Sequence, residues 1–476
     1  MIPALALGLA LAIVAQDHTR LGAAPRGSAL VLTELPQGDV LEVRGERADY
    51  LQVYDYRLER GGYVKRVAVR PVGLDAGQAP ALLAIVRFLR DSPGAEPLGI
   101  SYAAAYLRAV PSGALTAEPF DAIGAMAERL ADRSSGAALA STDLAAHLQV
   151  VEQFGVHLRS IERNGRIRLC YDGELYRRVL SMPGADAEVR ARAALALTRP
   201  DCIDPGLGPL PRAALDEQRA SLLDAVDEHA LDALARSRLH ARRAAVWAAV
   251  AYARSRSASG IPASAAGQRA LEELLDVDAA VLGEDRRAEY ADAVVRVAAA
   301  RWAAEYRPAT DARQITQAAL RLRSERGAPG ETCVVLENAQ RAEAPWVRRC
   351  TYGLVWLASA RAIGQGRALV LAVQPLESWR ELWVFHRYAG RWRVDVLSPG
   401  TEEPEEGYVE FAGVTPRARR LLTVREVKEH GHFRRRFEEY RLADLALVAQ
   451  ASSPELLPDF GRWADAGWRR ETLSLR

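Results

Sequence analysis

The sequence predicts a multi-domain α+β protein: a small β-barrel, then an irregular all-α region, then an antiparallel β-sheet domain. Three observations carry this. From about Ala29 to Val72 apolar residues alternate in short runs broken by turn residues. From about Ala76 to Arg326 the period becomes helical and Ala, Leu, Arg and Glu dominate. After Gly327-Ala-Pro-Gly330 the period returns to two. At 476 residues the chain is too long for one core. The expected divisions are 1–15, 18–74, 75–326 with a sub-boundary near 200–211, and 331–476.

Residues 1–15 read as a signal peptide. Ile2 to Val14 holds only apolar or small side chains and Pro3, and Ala15-Gln16-Asp17 then turns polar. Such a run suits an export leader cleaved after Ala15 and is shorter than a membrane span, which takes about 20 residues. No Lys or Arg precedes it. The other reading is an ordinary buried strand or helix. No later run is long and apolar enough to span a bilayer, so no stable membrane span is expected in the mature form. Four cysteines agree with export: Cys170 with Cys202 and Cys333 with Cys350 are near neighbours, suggesting two local disulfides, although four cysteines allow three connectivities.

Within 18–74 the strands are Ala29 to Thr33, Val40 to Val43, Tyr50 to Tyr54 and Gly62 to Val64. The order Leu35-x-x-Gly38-x-x-Leu41-Glu42-Val43, Gly45-Glu46, Tyr50-x-x-Val53 and Gly62-Tyr63-Val64 resembles the bacterial SH3 (SH3b) family over about a tenth of the chain. The resemblance implies an SH3-like β-barrel, a non-catalytic module of cell-wall and envelope proteins that binds peptidoglycan or peptide segments. The family's opening Asn-Val-Arg-x-Gly-Pro is reduced here to Leu21-Gly-Ala-Ala-Pro-Arg-Gly27.

Helices are expected at Ala81 to Arg90, Phe120 to Leu130, Leu144 to Ile161 capped by Ser141-Thr142-Asp143, Ala187 to Leu197, Ala213 to Arg254, Ala265 to Leu274 and Asp285 to Tyr306. Pro200, Pro205, Pro209 and Pro211 crowd one connector. No tetratricopeptide pattern occurs, so the helices read as irregular. Seven strands follow between Thr351 and Tyr440, with hairpin turns at Tyr388-Ala-Gly390 and Glu429-His-Gly-His432. Phe411 to Thr423 resembles a TolB-type propeller blade through Thr415, Pro416 and Leu421. About 145 residues hold too few blades for a closed propeller, and a twisted sheet or partial sandwich is expected.

Composition excludes several function classes. The net charge of +2 gives no reason to expect nucleic acid as a partner. Only Lys65 and Lys428 are lysines among 63 basic residues, a bias spread over every region that reads as genome composition. No nucleophile elbow, Ser-x-x-Lys, Walker loop or dinucleotide fingerprint occurs, and no catalytic residue, cofactor or metal is expected. His430 and His432 share a hairpin tip with Glu429 but lack a third ligand. His147 and His157 lie on one expected helix about 15 Å apart, too far to share an ion. Glu272-Glu273 and the acidic connector Glu402 to Glu406 read as solvated.

Aromatic residues are the better binding candidates. Tyr50, Tyr54, Tyr56 and Tyr63 cluster in the barrel, either presented to an extended ligand or partly filling its core. Trp379, Trp383 and Trp392 are expected to pack, with Trp383 against Trp392 across strands. The function expected is a non-catalytic periplasmic or envelope binding protein whose partner is peptidoglycan or another envelope protein. A cell-wall or carbohydrate-active enzyme, or an accessory subunit of an envelope assembly or secretion system, are the alternatives.

Overall fold

The computed structural model describes residues 10–136, 141–163, 165–257, 262–304, 314–341, 344–400 and 406–469. The chain forms two compact units, residues 1–207 and 208–476, divided in sequence within the proline-rich connector. The fold is mixed α+β, with an antiparallel sheet first, helices in the middle and mainly antiparallel sheets last.

The first unit opens with β1 (Ala10–Val14), β2 (Thr19–Gly22), β3 (Val31–Leu35), β4 (Val40–Arg47), β5 (Tyr50–Asp55), β6 (Arg60–Lys65) and β7 (Val69–Val72). They form one seven-stranded sheet in the order β3-β2-β6-β5-β4-β1-β7. Every strand sends a side chain into one core: Ala12, Val14, Leu21, Leu35, Leu41, Leu51, Val53, Val64 and Val69. Because the edge strands β3 and β7 share that core, the sheet is curled on itself. Gly62 allows β6 to approach β2: a Cβ there would lie 2.8 Å from the Leu21 side chain.

Strand β1 corrects the leader expectation for the residues described. Leu11 to Val14 is buried on both faces. Ala12 and Val14 enter the sheet core, while Ile13 joins the helix core with Val86, Ile100, Phe120 and Met126. Both edges of β1 are hydrogen-bonded, to β4 and β7. Cleavage after Ala15 would remove an interior strand, so Ala10 to Ala15 belongs to the folded unit; residues 1–9 lie outside the described residues.

Helices α1 (Ala79–Arg90), α2 (Glu96–Ala109), α3 (Glu118–Arg133) and α4 (Thr142–Glu152) follow, then β8 (Leu158–Arg163), β9 (Arg166–Tyr171), α5 (Glu174–Ser181) and α6 (Ala187–Leu197). Glu96 ties α2 to α3. Its buried carboxylate accepts from Arg129 at 2.6 Å, from the Gly94 N–H at 3.1 Å and from Arg133. Ser141 caps α4 as expected, accepting from the Leu144 N–H. The helix expected to reach Ile161 ends at Glu152, however, and β8 and β9 form a hairpin inside the region expected to be helical. Gly155, at φ 76°, supplies the left-handed residue that commonly follows a helix. Leu158 and Ile161, three apart, imitate a helical stripe although they lie on a strand. His147 and His157 therefore do not share a helix.

The second unit begins with α7 (Pro209–Asp224), α8 (Ala233–Arg256), α9 (Ala263–Leu275) and α10 (Glu284–Ala300). The stretch expected as Ala213 to Arg254 is two helices, because Asp232 caps α8 by accepting the Ala235 N–H at 2.7 Å. Then come β10 (Gln314–Gln317), β11 (Leu320–Arg326), β12 (Thr332–Asn338) and β13 (Val347–Thr351), a four-stranded sheet. The expected helical region thus includes two strands at its end, and its helices divide between the units. The remaining strands are β14 (Leu354–Ile363), β15 (Ala368–Leu376), β16 (Trp379–Tyr388), β17 (Arg391–Leu397), β18 (Gly407–Val414), β19 (Arg420–Glu429), β20 (His432–Arg441) and β21 (Leu447–Ala451), followed by α11 (Pro458–Trp463).

These strands make an eight-stranded sheet in which β16 pairs antiparallel with β15 and β17 and parallel with β18 over Trp379 and Arg380. Leu320, Leu322, Val334 and Leu336 of the smaller sheet pack on Leu369, Leu371, Val373, Trp383 and Phe385 of the larger, a partial sandwich. Val370, Val384, Val409 and Leu421 form a core on the other side. The expected hairpin turns occur at Ala389-Gly390 and His430-Gly431, all four residues at positive φ, the geometry of two-residue type I′ loops. Helix α10 is pinned to the sheet by Arg296, which bonds Asp292 at 2.8 Å, Glu377 at 3.2 Å and Glu406. Burial disfavours the Asp292 carboxylate, but Arg296 outweighs it and brings its pKa down to about 2.

Two outcomes are expected. Ile13→Ala should lower the stability of the first unit by about 2–5 kcal/mol in urea unfolding, and a chain starting at Gln16 should lose that unit's cooperative transition. The second concerns acid. Burial alone would raise the Glu96 pKa, but Arg129, the Gly94 N–H and Arg133 hold it below its ordinary value. Its stabilisation is therefore full above about pH 4.5 and lost as pH falls through the depressed folded value. Urea midpoints of Glu96→Gln should lack this component of the acid dependence.

Candidate binding face on the N-terminal sheet

Alternation along β5 decides where the tyrosines go. Leu51, Val53 and Asp55 point inward and are buried, so Tyr50, Gln52 and Tyr54 occupy the outer face. Register extends that face across three strands. Tyr54 lies between Glu42 and Gly61, Gln52 between Gly45 and Tyr63, and Tyr50 between Arg47 and Lys65. Tyr56 follows in the turn to β6 and is 61% exposed. The structure thus brings Tyr50, Tyr54, Tyr56 and Tyr63 to one side of the sheet, and none of them fills the core.

The rings are held in place by polar neighbours. Tyr54 and Tyr56 meet edge to face, with centroids 5.0 Å apart and planes at 74°. The Arg44 guanidinium lies 4.0 Å from the Tyr54 centroid. Glu42 joins the set, accepting from Arg44 Nε at 2.8 Å and from the Tyr56 hydroxyl at 3.0 Å. Those two hydrogen bonds, Arg44's the stronger, hold the Glu42 carboxyl below its ordinary range. Gly61 sits beside Tyr54, where a Cβ would lie 3.5 Å from the ring, so that the ring covers the strand's smallest residue. The result is a shallow face of rigid rings with fixed polar groups between them.

The turn carrying Tyr56 is anchored from below. Asp55 accepts from the Arg57 and Leu58 N–H groups at 2.8 and 3.2 Å, and Arg57 forms a two-pronged pair with buried Asp39. Burial nonetheless raises the Asp39 pKa above its ordinary value, against the pull of Arg57. Sequence reasoning missed Glu42, Arg44 and Arg57. Alternation alone gives faces, and the bulge between Val43 and Gly45 that places Arg44 over Tyr54 leaves no clear mark in the sequence.

The other residues singled out are placed as follows. Cys170 bonds Cys202 within the first unit, and Cys333 bonds Cys350 directly across β12 and β13. Two cystines fit a protein of an oxidising compartment. Among the described residues no helix is long and apolar enough to cross a membrane. Glu331 lies near the sulfurs of Cys333 and Cys350, but those sulfurs are bonded to each other. His430 and His432 sit at the tip of the β19–β20 hairpin.

Three expectations about packing are corrected. Trp392 stacks on Trp346, with centroids 5.3 Å apart, rather than on Trp383, which is buried in the sandwich. Glu273 is not solvated: it is buried and 2.6 Å from both His240 and Arg269. Glu406 is likewise buried, bonded to Arg296 and Lys428, while residues 401–405 of the acidic connector lie outside the described residues. Phe411 to Thr423 forms strand, 3-10 turn and strand within the larger sheet. No family model matches this chain, and no curated protein and no solved structure does either.

Because removing Arg57 leaves Asp39 buried without its partner, Arg57→Met should destabilise the first unit by about 3–5 kcal/mol in urea unfolding. Exposed Arg44→Met should leave the unfolding midpoint essentially unchanged.

Proposed function

We propose that this chain is a non-catalytic, exported binding protein of the cell envelope whose N-terminal sheet holds an extended chain of peptidoglycan or peptide against its tyrosine face. The observation that carries this reading is the outward placement of Tyr50, Tyr54, Tyr56 and Tyr63 on two adjacent strands and the turn between them. Rings fixed by neighbours offer large contact area at small entropic cost, which suits sugar faces and extended backbones. The resemblance of the Leu35 to Val64 motif to bacterial SH3 modules supports the same ligand class. The two cystines support an oxidising address, for which the periplasm is the specific proposal.

Co-sedimentation with purified sacculi tests the reading. The intact protein should pellet with sacculi, and the Tyr54→Ala/Tyr56→Ala double variant should lose at least about tenfold in affinity, in line with loss of interface hot spots. Its unfolding midpoint should stay near that of the parent. Undiminished binding by a folded double variant, or failure of the parent to pellet, refutes the proposal.

A further inference from the structure

The Tyr50 end of the tyrosine face carries charges that the sheet does not balance. Arg47 of β4 and Lys65 of β6 stand directly opposite Tyr50, one on each side of β5. Cross-strand neighbours in register share a face, with Cβ atoms about 4.5–5.5 Å apart, so the two cations flank the outward Tyr50 ring. Both are exposed, and neither side chain has a hydrogen bond or ion pair among the described residues. A strand spacing of about 4.8 Å sets β4 and β6 about 10 Å apart, so the long Arg47 and Lys65 side chains reach the same space above Tyr50.

Elsewhere on this side of the sheet the ladders set opposite charges together. Arg44 bonds Glu42 at 2.8 Å at the other end of the face, and Arg20 of β2 stands opposite Glu34 of β3. Glu46 lies opposite inward-facing Leu51, on the other side of the sheet, and is taken by Arg66. Asp49 belongs to the two-residue turn beyond the last ladder pair, Arg47 with Tyr50. The loop after β2 bounds this end, where a Cβ on Gly27 would lie 3.9 Å from the Tyr50 hydroxyl. The second unit offers a contrast. It encloses a cavity of about 110 Å³ beside Trp468, in which Arg380 and Arg301 both turn to Glu410, at 3.4 and 3.8 Å; the ladder places no carboxylate opposite Arg47 or Lys65.

We propose, resting on the ligand reading given above, that Arg47 and Lys65 form an anion subsite of the tyrosine face, and that it takes a carboxylate of a peptidoglycan peptide stem, with the Tyr50 ring against the stem's adjoining carbon chain. Charge decides between the two parts of that polymer: its glycan is built from neutral acetamido sugars, and its peptide stems carry the carboxylates. The self-paired end of the face, with Glu42, Arg44, Tyr54 and Tyr56, is left for the neutral part of the ligand. The face thereby sets the direction of the chain laid on it, with the anionic group toward Tyr50. Exposed cations act through a field that salt screens, and each adds only modest attraction.

Co-sedimentation of the full chain with sacculi freed of phosphate polymers tests the subsite, with half of the preparation amidated at its carboxylates by carbodiimide and ammonia. The parent should bind the untreated sacculi at least about threefold more tightly than the amidated ones, the scale of two exposed ion pairs, and raised salt should shrink that preference. Arg47→Gln/Lys65→Gln should keep the parent's unfolding midpoint and bind the two preparations alike. The inference is overturned if the parent binds both alike, if its preference survives high salt, or if the folded double variant prefers the untreated form as strongly as the parent. A parent that prefers only sacculi retaining their phosphate polymers also overturns the carboxylate assignment. The comparison of preparations uses the parent alone, so it holds whatever the variant does. If Tyr54→Ala/Tyr56→Ala loses sacculi while amidation changes nothing, the subsite falls and the tyrosine face stands; a parent that pellets with neither preparation removes both.

Discussion

Each unit is organised by a strand buried on both faces and hydrogen-bonded on both edges. Such a strand needs an apolar side chain at nearly every position, and sheets and helices alike lean on it. In the first unit that strand is β1, whose Ala12 and Val14 support the curled sheet while Ile13 supports the helices. In the second it is β15, whose Leu369, Leu371 and Val373 face the smaller sheet while Ala368 and Val370 face the opposite core. On β5 only the side chains facing the sheet core are buried, and that freedom lets β5 carry tyrosines outward.

The same constraint explains what the sequence reveals and what it hides. Ala368 to Val373 stands between recognisable turns, so its continuous apolar run reads as a strand. Leu11 to Val14 has the same composition but stands at the start of the chain, where an export leader looks identical; only the pairing of β1 with β4 and β7 separates them. Local turn chemistry is equally readable at Ala389-Gly390 and His430-Gly431, because positive φ at both positions favours Gly, Asn and their like. Helical spacing misleads around Leu158 and Ile161, where three-residue apolar spacing falls on a hairpin.

Polar residues follow a different rule, set by partners distant in sequence. Glu406 looks like part of a solvated acidic run, yet Arg296, 110 residues earlier, holds it inside the unit. Glu273 pairs with His240, 33 residues away, and is buried for the same reason. A carboxylate's neighbours in sequence reveal little about whether its charge is compensated. The tyrosine face was legible because period-two alternation fixes which side chains share a side; its bracing by Arg44 and Glu42 was not, since a bulge breaks that alternation. The cavity built from Arg301, Arg380, Glu410 and Trp468 leaves no local pattern at all.

The tyrosine face and the second unit's cavity differ in how far their polar groups satisfy one another. At the Tyr54 end of the face, Glu42, Arg44 and the Tyr56 hydroxyl already satisfy one another, so a ligand gains contact area there without repairing any unmet charge. Recognition of that kind is shallow and tolerant, and gains strength when many equivalent ligands are presented together, as along a polymer. The cavity of the second unit has the opposite character: it is small, walled by aromatic rings, and holds a buried guanidinium whose Nε lacks a partner among the described residues. The two differ, then, in whether the fold's own side chains complete the hydrogen bonding: the face does so at its surface, and the cavity wall leaves two buried donors unmade among the described residues.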